Sequence, residues 1–91
     1  VVLFEPGSAR LSTAAVALLE AAAREAGEVR PTELRLVAST ASGEPPALAH
    51  ERAAAVEEWL RAHAVAVVRI GPALEGRGAA LWLEPTCRDR R

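Results

Sequence analysis

"ELRLVASTASGEPPALAHERAAAVEEWL", Glu33 to Leu60, holds in one stretch the two patterns that decide the fold. Glu33-Leu34-Arg35-Leu36-Val37-Ala38 alternates and then turns continuously apolar, as a strand does when it lies in the middle of a sheet. Ser39 to Pro46 reads as a loop, made of small and polar residues and closed by a proline pair. From about Ala47 to Ala64 a helix is expected. Leu48, Ala49, Arg52, Ala53, Val56, Leu60 and His63 fall broadly along one side of it, and Glu57 and Arg61 form an exposed i, i+4 pair.

Working outward, Val1-Val2-Leu3-Phe4 is a short apolar run ended by the turn signal Glu5-Pro6-Gly7, and it reads as a strand buried on both faces. Leu11-Ser12-Thr13 opens a second helical pattern with Ser12 as a natural N-cap, whose hydroxyl accepts from an otherwise unpaired N–H of the first turn. Val16, Leu19, Ala23 and Ala26 recur at helical spacing, and Gly27 is suited to end the helix in the left-handed conformation. Glu20 and Arg24 sit at i, i+4 on its outer face. Beyond the second helix, Val65 to Ile70 is β-branched and short, a third strand. Gly71 to Gly78 reads as a glycine-rich connection, and Ala79 to Glu84 as a fourth strand stopped by Pro85.

The order is therefore strand, helix, strand, helix, strand, strand. A helical crossover usually returns parallel, and the last short loop suits an antiparallel return. The expected fold is a two-layer α/β sandwich of the α+β class, a mixed four-stranded sheet with both helices on one face. Residues 1–85 read as one domain and 86–91 as a polar tail.

Composition sets bounds on function. The chain has 91 residues, 51% of them apolar and 25% charged, with a net charge of -1. That is enough for one small core, and it lacks the basic excess of a nucleic-acid footprint. Alanine supplies much of the apolar share, so the larger residues must carry the core. No apolar run is long enough to cross a bilayer, and no signal-peptide pattern is present. The chain starts inside an apolar run without Met, which reads as a segment of a larger or processed protein. Cys87, in the polar tail, has no cysteine partner in the chain. His50 and His63 lie 13 residues apart, too far along a helix axis to share a metal, and each is expected at or near the surface. No serine has a His and an acid arranged around it, and the 71–78 connection lacks the strand–glycine–helix context of a phosphate loop. The chain is expected to be no enzyme and to carry no cofactor.

In succession the segments resemble the OmpA-like domain, a family shared by outer-membrane proteins, peptidoglycan-associated lipoproteins and flagellar stator subunits. "LFEPGSARLSTAAVALLEAAA" is similar to its first strand, its "F…gSa.L" turn and its first helix. "LRLVASTASGEPPALAHERAAAVEEWL" is similar to the stretch from its "G-H-T-D…G" turn to its "R-A…V…L" helix. "VVRIGPALEGRGAALWLEP" resembles its last strands, with Arg77 near a family arginine. The likeness covers nearly the whole chain.

The resemblance implies a periplasmic, cell-envelope domain that tethers a membrane protein or complex non-covalently to peptidoglycan. It would reach the membrane only through parts outside this chain. In the family an aspartate of the "T-D" turn and an arginine of the "R-A" pair hold the zwitterionic diaminopimelate, a division of labour that suits its ammonium and carboxylate. Arg52, followed by Ala53, falls on the arginine position. The turn falls on Ala38, Ser39, Thr40 and Ala41, so the aspartate is Ala41 here. The loop between Gly43 and Arg52 and the stretch from Ile70 to Gly78 are both shortened. Arg52, Thr40, Ser39 and Glu44, the one nearby carboxylate, are the implied ligand group. The alternative is a degenerate OmpA-like domain kept as a protein-contact or assembly scaffold for envelope proteins. Trp82 and Trp59 would then supply contacts, Trp82 from the sheet's open face if Leu81 and Leu83 point inward.

Overall fold

The computed structural model describes residues 2–29 and 32–86. Its elements are β1 (Val2–Leu3), α1 (Thr13–Val29), β2 (Glu33–Thr40), α2 (Ala47–Ala62), β3 (Val68–Ile70), β4 (Leu74–Glu75) and β5 (Ala80–Thr86). The main sheet runs β1-β5-β2-β3, with β4 beside the far end of β2. β5 is antiparallel to both β1 and β2, whereas β3 and β4 run parallel to β2. The class is α+β, a two-layer sandwich with a mixed five-stranded sheet.

β2 is the spine because it has strand neighbours on both edges, β5 on one and β3 and β4 on the other. Leu34, Leu36 and Ala38 point to the helices and are buried, and Val37 and Ser39 are buried on the opposite face. Both helices contribute to one core with that first face: Ala15 and Leu19 from α1, and Ala49, Ala53, Val56 and Leu60 from α2, against Leu36, Val68 and Leu81. Removing a leucine side chain such as Leu19, Leu36, Leu60 or Leu81 from water contributes about 1.5–3 kcal/mol, and all four are fully buried. The small Ala49 and Ala53 let the α2 backbone approach the sheet, and in that approach lies the site.

Helix ends follow local chemistry. Ser12 caps α1 as expected, its Oγ accepting from the Ala15 N–H at 3.1 Å. Gly27 does not end that helix: α1 runs through it to Val29, and Gly27 is not among the residues with positive φ. Glu20 and Arg24 are both exposed, and no ion pair joins them among the described residues. α2 ends two residues earlier than the pattern suggests. His63 is its C-cap, and Ala64 takes the left-handed conformation at φ 68°. The Val65 N–H then bonds the Leu60 carbonyl, and the Ala64 N–H bonds the Arg61 carbonyl, the paired bonds of a Schellman ending.

Five strand expectations need correction. The 71–78 connection holds the two-residue strand β4, so the sheet has five strands where four are expected. The first strand is covered on one face only: Val2 is fully buried whereas Leu3 is 65% exposed, because β1 is an edge strand with no layer on its outer side. β2 continues through Ser39 and Thr40, residues that read as loop, because β4 supplies them with a parallel partner (Ser39 opposite Leu74, Thr40 opposite Glu75). The third strand is shorter than the β-branched run and begins at Val68. The last strand passes Pro85 and reaches Thr86. Pro85 is tolerated there because, among the described residues, β1 pairs only with Ala80 and Leu81. Further along, β5 has one neighbour, β2, and the missing N–H faces an open side. Val1, Cys87 and the rest of the tail lie outside the described residues.

Candidate functional site

The stripe that buries α2 runs Ala49, Ala53, Val56 and Leu60, and Arg52 lies within it. Arg52 is the largest fully buried side chain in the described chain, at 0% exposure. A guanidinium has five N–H donors in a rigid fork and no acceptor, so burial demands an acceptor for each. Arg52 finds all five. Nε donates to the Ser8 carbonyl at 2.9 Å, Nη1 to the Ser39 carbonyl at 2.9 Å and Nη2 to the Glu5 carbonyl at 3.3 Å. The two remaining N–H groups go to Glu44, Nη1 to Oε1 and Nη2 to Oε2, both at 2.8 Å. The Phe4 ring lies beside it, its centroid 5.3 Å from Cζ.

Glu44 is saturated in its turn. Besides the fork, Oε2 accepts from the Gly7 N–H and Oε1 from the Ala41 N–H, each at 2.6 Å. Its side chain is 8% exposed. Hydrogen bonds from Arg52, and then those from the Gly7 and Ala41 amides, hold its carboxyl down at about 2, against an ordinary 4.5, while desolvation opposes the shift. Local backbone makes this possible. Gly43 adopts φ +89°, a conformation that glycine accepts without strain, and the turn closes with the Glu44 N–H on the Ala41 carbonyl. Gly7, at φ +72°, similarly turns its chain so that its N–H aims inward. A surface cleft of about 390 Å³ opens beside the carboxylate, bounded by Thr40 to Glu44, Pro46, Glu75 and Gly76.

Of the four residues that the resemblance implies for a ligand, Arg52 and Glu44 form this clasp. Ser39 and Thr40 stand next to it, but their hydroxyls do not join it. The Ser39 hydroxyl donates to the Thr40 carbonyl at 3.3 Å and accepts from the Arg77 N–H at 3.2 Å, fastening the 71–78 connection to the end of β2. Thr40 is buried at 2%, and its carbonyl accepts from the Gly76 N–H. Glu5, Gly7 and Ser8 complete the clasp through backbone atoms. The Glu5-Pro6-Gly7 turn signal marks the bend there but gives no hint that its carbonyls and amide serve a distant arginine.

The tryptophans are not brought together. Leu81 is buried and Leu83 packs against the core, so Trp82 alternates to the open face opposite Val37, half-buried. Trp59 packs on the helical side and stacks on His63, with centroids 3.7 Å apart and an interplanar angle of 13°. His50 and His63 are both exposed. Among the described residues no three His, Cys, Asp or Glu side chains gather as a metal site, and no helix is long and apolar enough to cross a membrane.

No protein-family model matches the chain, and no curated protein matches it.

Proposed function

We propose that the chain is a non-catalytic, OmpA-like domain of the cell envelope that works as a protein-contact and assembly scaffold, with its amino-acid site shut from within. One observation carries this reading: every N–H of Arg52 is already spent on Glu44 and three backbone carbonyls. A ligand carboxylate entering here must first displace a bidentate partner tied to the same chain. The position that the resemblance gives to the ammonium-binding aspartate is Ala41, which offers a backbone N–H and no charge. Contact surface exists elsewhere. Leu3 is exposed on the β1 edge, and Trp82 is half-buried on the sheet face away from the helices.

A second reading, the peptidoglycan tether, draws on one feature of the same geometry. Arg52 does aim at the end of β2 and the loop after it, where the resemblance puts the ligand. Sedimentation with purified peptidoglycan sacculi separates the two. The scaffold reading expects the folded wild-type chain to stay in the supernatant. Sedimentation of the wild type, lost in Arg52→Ala with the circular dichroism unchanged, would replace it with the tether.

A further inference from the structure

Four N–H groups from three separate parts of the chain converge on one carboxylate. Two come from Arg52 on α2, one from Gly7 in the β1–α1 turn and one from Ala41 after β2. Only Glu44 belongs to the exposed part of the loop: Ser42, Gly43, Pro45 and Pro46 around it all face solvent. Three of the four donors thus lie outside the Ala41–Pro46 strap that delivers the acceptor, and the fourth, the Ala41 N–H, is the strap's own first amide. Arg52 has three acceptors besides Glu44, the backbone carbonyls of Ser8, Ser39 and Glu5, that hold it in place. The Gly7 amide is likewise fixed by its own turn. Withdrawing Glu44 would therefore leave a fork and at least one amide pointing at an empty place, and Glu44 itself borders a surface cleft with Thr40, Ala41 and Gly76.

We infer that Glu44 is an exchangeable occupant of a carboxylate receptor, so that the Ala41–Pro46 strap acts as an autoinhibitory latch that free carboxylates must displace. The inference goes beyond the scaffold reading and rests only on the clasp. Competition from a tethered group is severe, because its effective concentration reaches the millimolar range or above. A carboxylate offering the same two oxygens in free solution is at a disadvantage until the latch is removed. The pocket takes a compact carboxylate best: the fork and the amides read both oxygens, and no cation of this cluster is left over for a second anionic group.

Sodium acetate is the probe, with sodium chloride at equal ionic strength as the control. Backbone amide and Arg52 Nε–H NMR signals are followed in the wild type and in Glu44→Ala. Saturable shifts of the Gly7 and Arg52 signals in Glu44→Ala, with an affinity at least tenfold tighter than in the wild type, are the expected result. Equal titration of both proteins overturns the latch, and so does a folded Glu44→Ala that shows no saturable shift. Should Glu44→Ala fail to fold in chloride, its far-ultraviolet dichroism is read against acetate. Recovery in acetate alone supports the receptor, and no recovery overturns it. These outcomes are independent of sedimentation with sacculi, since acetate needs no ammonium partner.

Discussion

Arg52 and Glu44, eight residues apart, face each other through two parallel N–H···O bonds of 2.8 Å with the guanidinium wholly out of contact with solvent. Around them the pair gathers the β1–α1 turn, the end of β2 and the start of α2, three segments that no apolar contact could hold at one point with the same directionality. A buried ion pair is tolerated when every lone pair and proton has a partner, and in this clasp each does. No buried side-chain nitrogen or oxygen among the described residues lacks a hydrogen bond.

Removing one partner should therefore be costly. Arg52→Ala leaves the Ser8, Ser39 and Glu5 carbonyls without their donor and is expected to lower unfolding stability by about 3–5 kcal/mol. For a domain of this size that is a large part of the total. Arg52→Lys keeps the charge but has no planar fork, so it should recover only part of the loss. Urea denaturation of the three proteins checks this, and a lysine variant as stable as the wild type would show that the fork geometry is irrelevant.

Acid should loosen the clasp in a defined window. The Glu44 carboxyl is held at about 2 in the folded chain and returns to an ordinary 4.5 when unfolded. Between those values the unfolded chain binds the extra proton, so stability rises with pH. The contribution is complete above about 4.5 and is lost as pH falls toward 2. Glu44→Gln cannot titrate. The difference in urea midpoint between wild type and Glu44→Gln should thus shrink as pH drops from 5 to 2.5, and a constant difference would mean that this carboxyl is not depressed.

The layout was legible because two periods dominate the sequence. Leu34-Arg35-Leu36-Val37-Ala38 could only be a covered strand, and the Ala49–Ala53–Val56–Leu60 stripe only a buried helix face. What escaped were features set by partners remote in the chain. Ser39 and Thr40 are strand because Leu74 and Glu75 lie beside them, and a two-residue strand within a glycine- and proline-flanked stretch carries no periodicity of its own. Gly27 is a plausible stop that the helix passes through, since its cost in a helix interior is only about 1 kcal/mol. The site was half legible. Arg52 and Glu44 stand out by charge and position, but the Glu5 and Ser8 carbonyls and the Gly7 amide belong to every residue type alike and leave no mark in the sequence.

Ala64 marks a place where the chain is not at its stability optimum. It holds φ 68° at the residue after the α2 C-cap, where the Schellman bonds require the left-handed conformation. An alanine Cβ crowds the following carbonyl in that region, at a cost of about 1–2 kcal/mol. Glycine avoids the clash but loses more entropy on folding. Ala64→Gly is expected to stabilise the domain by about 1 kcal/mol, a rise of roughly 4–8 °C in thermal midpoint. A fall would indicate that the α2 ending differs from the one described.

β3 ends the strand order β1-β5-β2-β3 and leaves a free edge to the sheet. Val68 stands opposite Leu34, yet the Leu34 N–H bonds the Val67 carbonyl, so in a parallel ladder the N–H and C=O of Val68 face outward. Arg61 meets that carbonyl. Its Nη2 lies 3.2 Å from the Val68 oxygen and its Nη1 3.5 Å from the Ala66 oxygen, while Glu57 steadies the same guanidinium at 3.2 Å. A charged side chain laid across unpaired edge groups blunts them against pairing with another strand. Val67 and Ile70, exposed on either side of Val68, would otherwise make the edge adhesive. Arg61→Ala is therefore expected to self-associate at concentrations where the wild type is monomeric, with little change in thermal midpoint, since the lost ion pair is half exposed. Sedimentation velocity over a hundredfold concentration range reads the outcome. A variant that stays monomeric throughout, or one in which an added edge charge such as Val67→Lys fails to reverse association, would show that Arg61 does not guard this edge.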